Sequence, residues 1–173
     1  MRLQRFDLWL LSCLSAFFFT SGASLWETFL FVPAWSGAAP ASFRVFTPPY
    51  SIDPAIFWGI THSVFELTLI ITVVLNWKLK ERRLPLIGIA AVYVLMRIFT
   101  LVYFAPTFIH FHGIAAANFI DEALTQKTLQ WEHLNYVRTA IIIADNLALL
   151  GFCMRTFASD VAGRTQATPA GRN

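Results

Sequence analysis

Charge is scarce in this chain: only 13% of its 173 residues are Asp, Glu, Lys or Arg, against 57% that are hydrophobic. A soluble domain carries roughly a quarter charged residues, so an ordinary water-soluble fold is excluded. Cysteine is nearly absent. The two present, Cys13 and Cys153, lie in apolar stretches without metal-ligand spacing and read as buried free thiols rather than a disulfide. Also missing are a G-x-G-x-x-G turn, a P-loop and a C-x-x-C-H attachment motif, which argues against a locally built nucleotide site and a covalently attached haem. The net charge of +3 does not imply a nucleic-acid partner, because the basic residues are dispersed at the ends of apolar runs instead of forming a patch. No second, soluble domain fits in the remaining length.

What the chain does have is long apolar runs, enough for four crossings of a bilayer at about 20 residues each. The spacing predicts an all-α, integral membrane four-helix bundle over 1–155, with spans at 6–32, 54–77, 85–105 and 134–154, and a polar, disordered tail over 156–173. Arg2, Arg5, the run from Leu8 to Phe19 and the small residues Ser21, Gly22 and Ala23 resemble a cleavable signal peptide. The apolar pattern runs on through Leu25, Trp26, Phe29 and Val32, which favours a retained first helix ending at Pro33. An irregular loop follows, with Trp35, Phe43, Phe46 and Tyr50 suited to the interface. Asp53 as N-cap and Pro54 at the first position open the second helix, and Pro85 opens the third, which stops before Pro106. The spacing of Ala116, Phe119, Ile120 and Leu124 predicts a short interfacial helix before the fourth span.

Arg2, Arg5, Lys78, Lys80, Arg82, Arg83, Arg155, Arg164 and Arg172 flank one end of these spans, and only Arg44 and Lys127 flank the other. The positive-inside rule therefore places both termini in the cytoplasm and the loop after the first helix outside, as in a multi-pass protein of a bacterial inner membrane.

Ionisable groups inside a bilayer are costly and need an explanation. Glu27, His62, Glu66, Arg97 and Arg138 share a layer in the outer half of the spans, with Asp145 deeper. His62 and Glu66 are four residues apart, on one helix face, as a general base and its orienting partner would be. Trp35, Tyr103, Trp131, His133 and Asn135 can line the mouth of such a site, and Glu27, Trp35, Tyr103, Trp131 and Asn135 are its candidate substrate-binding residues. The structural alternative is that Glu27, Glu66 and Asp145 neutralise Arg97 and Arg138 and tie the bundle together. His110 and His112 form an H-x-H pair that a solvated loop also explains, and a haem between His62 and His133 is not demanded by any spacing. No metal ligand set is assigned. Seventeen Phe and six Trp would suit a flat apolar substrate, but lipid-facing aromatics are ordinary in membrane helices.

Three local patterns carry a resemblance: Glu27, Pro33 and Trp35 after the first span; Thr100, Tyr103, Phe104 and Pro106 closing the third; and Trp131, Asn135 and Arg138 opening the fourth. With the four-helix layout, the chain resembles the anthrone oxygenase-like family of small membrane proteins. The resemblance implies oxidation of a polycyclic anthrone by molecular oxygen with no metal or flavin cofactor. A base would remove an acidic proton from a phenolic substrate. His62 is the natural base on residue chemistry, with Glu66 orienting it and Arg97 or Arg138 stabilising the enolate oxygen. The competing reading is a non-catalytic binding or assembly subunit whose charges pair internally or with a partner helix. Both readings share the lipid bilayer as partner and leave room for a homo-oligomer; the first adds a lipophilic aromatic or quinone-like small molecule.

Overall fold

A computed structural model describes residues 5–49, 51 and 54–167, with 160–167 described by backbone alone. Its elements are α1 (Arg5–Trp26), a π turn (Glu27–Phe31), α2 (Pro33–Ser36), a 3-10 helix (Ala41–Phe46), α3 (Ala55–Asn76), α4 (Lys80–Phe99), a second π turn (Thr100–Phe104), α5 (Ala105–His112) and α6 (Glu122–Ala167). Joined end to end, these make four helices long and apolar enough to cross a membrane: Arg5–Ser36, Ala55–Asn76, Lys80–His112 and Glu122–Ser159. The chain is thus an all-helical, multi-pass membrane protein in its architecture.

The first and third helices run past Pro33 and Pro106, where the sequence predicts ends, and the third starts at Lys80 with Pro85 inside it instead of opening at Pro85. A proline inside a helix removes one hydrogen bond and pushes its ring against the preceding turn. Here Pro33 and Pro106 are each preceded by a π turn. Val32 N–H donates to the Glu27 carbonyl at 2.8 Å, and Ala105 N–H donates to the Thr100 carbonyl. The extra residue in each turn makes the space, so both helices continue past their prolines with the backbone still paired, as a bilayer requires. In both cases the first residue of the π turn lies six before the proline (33 − 27 and 106 − 100).

The stretch before the fourth span also differs from expectation. No separate interfacial helix appears between His112 and Glu122 among the described residues. Ala116, Phe119 and Ile120 lie in irregular chain, while Leu124 already belongs to α6. Asp121 accounts for this, since its Oδ1 accepts the Leu124 N–H at 3.0 Å and starts α6 twelve residues before the expected span (134 − 122). α6 continues to Ala167, into the segment expected as the tail. Arg2, Tyr50, the proposed N-cap Asp53 and Arg172 lie outside the described residues.

Within the bundle, α1 packs against α3 and α6, and α4 packs against α6 and α3, closing a ring of four. The interior divides in two. Near the basic turn the core is mixed aliphatic and aromatic, with Leu10, Cys13, Phe17, Phe65, Leu69, Leu86 and Leu149. At the loop end it is almost wholly aromatic: Phe31, Trp35, Phe43, Phe46, Phe104, Phe111 and Trp131. The segment after α2 is tied down by Asp121 N–H to the Ala39 carbonyl at 2.8 Å, and α2 is tied to α6 by Ser36 Oγ donating to Glu132 at 2.5 Å. The lipid-facing surface carries exposed Leu, Ile, Val and Phe on every span, such as Phe19, Ile60, Leu95 and Leu147. Cys13 and Cys153 are free and buried.

Candidate functional site

Between the two cores, the spacings on α3 and α4 set up facing polar ladders. Trp58, His62 and Glu66 recur every fourth residue on one face of α3, and Tyr93 and Arg97 do the same on α4. Where they meet, Arg97 Nε donates to Glu66 Oε1 at 2.8 Å, and the Tyr93 hydroxyl donates to the same oxygen at 3.1 Å. His62 Nδ1 lies 3.0 Å from that hydroxyl. Tyrosine has one hydroxyl proton, and it is given to Glu66. The His62 Nδ1 must therefore be the donor in its bond to Tyr93, which leaves Nε2 as the ring's acceptor.

The second polar group gathers at the two π turns. Arg138 on α6 donates to Glu27 Oε2 at 3.3 Å and to Thr100 Oγ1 at 3.4 Å, so it binds the first residue of each turn. Its guanidinium carbon sits 4.5 Å above the ring of Phe104. A π turn re-aims side chains relative to a regular helix, and here it brings Glu27 and Thr100 to one cation. Trp58 joins this group to the first. Its indole N–H donates to Glu27 Oε1 at 3.0 Å, and its ring stacks on His62 with centroids 5.3 Å apart. A continuous chain of contacts thus runs from Thr100 through Arg138, Glu27, Trp58, His62, Tyr93 and Glu66 to Arg97.

A cavity of about 490 Å³ opens beside this chain, with Glu27, Trp58, His62, Arg97, Thr100, Arg138, His112 and Trp131 in its lining alongside Phe104 and Phe108. That volume suits one small organic molecule. Arg138 Nε and His112 Nε2 are buried and make no hydrogen bond among the described residues. In an apolar medium each such atom is costly, and both belong to residues of the cavity wall.

Five of the residues singled out from sequence therefore meet: Glu27, His62, Glu66, Arg97 and Arg138. The pairing differs from expectation in one respect. Glu66 does not orient His62 directly, because Tyr93 stands between them. The geometric reason is that a carboxylate already held by Arg97 across to α4 is turned away from its own helix neighbour.

The mouth residues divide. Trp131 lines the cavity, and its indole N–H is held by the Phe104 carbonyl at 3.2 Å. Trp35 is instead fully buried in the aromatic core, Asn135 is buried against Thr28 at 3.0 Å, and Tyr103 stacks on Phe99; none of these three lines the cavity. His110 and His133 are exposed, apart from His112 and His62, and no cluster of three metal-ligating side chains occurs among the described residues. Asp145 pairs with neither arginine, and its Oδ2 is buried with no hydrogen-bond partner among the described residues. Tyr93 and Trp58 are not among the residues singled out from sequence, and His112 stands there as half of an H-x-H pair and not as a cavity residue. The four-residue ladder of Trp58, His62 and Glu66, matched by Tyr93 and Arg97, was the available signal.

Fold and site together define a four-helix membrane protein with a polar, aromatic-walled cavity inside the bundle. Compared with known protein families, curated proteins and solved structures, the chain matches none.

Proposed function

We propose that this chain is a membrane-embedded oxidoreductase that oxidises a lipophilic aromatic substrate with molecular oxygen, without metal or flavin. The observation that carries the reading is the cavity itself. Charge pairs that merely tie helices together need no recess beside them, whereas here a base, two guanidinium groups and aromatic side chains line one volume of about 490 Å³. The resemblance to the anthrone oxygenase-like family supports the same chemistry.

In this mechanism His62 Nε2 takes the acidic C–H proton of an anthrone-like substrate, and the electron pair moves onto the ring carbonyl oxygen as an enolate. The imidazolium that forms gives partial charge through Tyr93 to Glu66, which Arg97 holds in place. Arg138 or Arg97 stabilises the enolate oxygen. The carbanion then reduces dioxygen: the methylene carbon becomes a carbonyl, and the second oxygen atom leaves as water, which balances the reaction. Positive-inside counting puts the cavity in the outer half of the membrane, with both termini in the cytoplasm, in keeping with a bacterial inner-membrane protein.

The test is oxygen uptake by the purified protein in mild detergent with a model anthrone, alongside an optical spectrum and metal analysis. Stoichiometric oxygen consumption by a colourless, metal-free protein is expected, with His62→Ala lowering the rate by about 10²-fold or more. An unchanged rate in His62→Ala would remove His62 from the mechanism. No uptake at all, with the polar chain intact, would favour the assembly-subunit reading, in which the ion pairs are structural.

A further inference from the structure

A second recess lies against the first. Between α1 and α3 a groove of about 560 Å³ is lined by Phe18, Phe19, Gly22, Ala23, Trp26 and Phe57. Its origin is in the sequence: small residues at 22 and 23 interrupt a run of aromatics, and a Cβ placed on Gly22 would meet no atom within 4 Å. The Phe19 and Phe57 rings, with centroids 6.2 Å apart, wall one side. Phe18, Phe19, Trp26 and Phe57 are all exposed, so in a bilayer the groove faces acyl chains.

Glu27, Pro54 and Trp58 line both recesses, so groove and cavity meet along one rim. Polarity changes abruptly across it. On one side stand His62, Arg97 and Arg138. On the other, Glu27 is the single ionisable residue, and its two oxygens are already engaged by Trp58 and Arg138.

We infer that cavity and groove together bind one amphipathic molecule: an oxygen-bearing aromatic head in the cavity and a long hydrocarbon tail in the groove. The head's chemistry rests on the oxidoreductase reading above; the tail's does not. Several features favour a single molecule straddling the rim. The cavity volume suits one small organic head, the adjoining groove has no free polar side chain in its lining to recognise a second one, and the polarity step matches that of a tailed phenol or quinone-like lipid. Such a molecule stays in the bilayer throughout and reaches the cavity sideways from the lipid, without passing through water. The tail contributes register more than affinity, because lipid chains are as apolar as the groove and hydrophobic transfer between them is nearly neutral.

The experiment uses the full chain in phosphatidylcholine nanodiscs with two photoreactive probes that carry the same diazirine-bearing alkyl chain, one ending in an anthrone head and one in a simple alcohol. The tailed anthrone is expected to label Phe18–Ala23 and Phe57, to be displaced by excess tail-less anthrone, and to label far above the alcohol. Gly22→Leu is expected to abolish that labelling and to raise KM for the tailed anthrone about tenfold while leaving the tail-less compound unchanged. Equal labelling by the alcohol would make the groove an ordinary lipid-facing surface and overturn the inference, as would labelling elsewhere or an equal effect of Gly22→Leu on both substrates. If the labelling pattern holds but neither anthrone is oxidised, the oxidoreductase reading fails and the bipartite site stands. If the tail-less compound is oxidised and the tail changes nothing, the reverse is true. Should Gly22→Leu not fold, the labelling of the unmodified protein decides.

Discussion

Two buried carboxylate–guanidinium arrangements among the described residues are built from nearly the same parts, one near the basic turn and one at the π turns, and they differ in what surrounds them. Near the basic turn Arg82 donates to Asp7 at 2.9 Å and to Asn76 at 3.4 Å and lies over the Phe6 ring at 4.8 Å. At the π turns Arg138 donates to Glu27 and Thr100 and lies over the Phe104 ring at 4.5 Å. Carboxylate, polar neutral partner and aromatic face recur in both. Neither of the two recesses described above touches Asp7 or Arg82, whereas Glu27 lines both and Arg138 lines the polar one. A buried ion pair in a membrane bundle is therefore no sign of chemistry by itself. The distinguishing features are an adjoining volume, a histidine wired to the pair, and buried polar atoms left without protein partners.

The comparison can be broken by removing one member from each arrangement. Glu27→Gln should have the largest effect, because it strips the carboxylate from Arg138 in the middle of the bundle. A loss of about 3–5 kcal/mol is expected, since an uncompensated buried charge remains. Thermal unfolding in detergent would show it as a lowered midpoint, together with loss of oxygen uptake. Next comes Tyr93→Phe, which cuts the link between His62 and Glu66 without removing either. Turnover should fall by about 10²-fold while stability drops by about 1–3 kcal/mol, the loss of two part-buried hydrogen bonds. A Tyr93→Phe variant with full turnover would show that His62 works without the relay. The smallest effect on function is expected from Asp7→Asn. It weakens a charge-assisted bond at the membrane edge, costing about 1.5–3 kcal/mol, but the folded protein should keep its kcat. If Asp7→Asn lowered kcat as much as Glu27→Gln, the distinction between a structural and a functional pair would collapse.

Much of the site was legible because helical geometry is local. His62 and Glu66, four apart, had to share a face of their helix, and an arginine inside an apolar run had to find a partner. Which partner was not legible. Glu66 could have met His62, Arg97 or Arg138, and Asp145 could have taken either arginine; the choice depended on how α3, α4 and α6 are rotated against one another. Trp35 and Asn135 show the same limit from the other side. Their residue types and positions near a helix end suited a pocket mouth, but the rotation of α2 and α6 turned them into the core. The prolines misled for a different reason. Pro33 and Pro106 have the local chemistry of helix ends, and the π turns that absorb them involve no residue type that marks them in advance.

The sequence by itself determined that the chain is helical, that it has four lipid-spanning segments, and that several ionisable groups lie inside them, because hydropathy, length and three-to-four-residue spacing are properties of the chain alone. Tertiary structure alone decided that Tyr93 stands between His62 and Glu66, that Arg138 spans two π turns, and that a cavity and a groove share the rim at Glu27 and Trp58. These are relations between helices distant in sequence, set by packing angle and rotation, and each needs the whole ring of four helices to close before it exists.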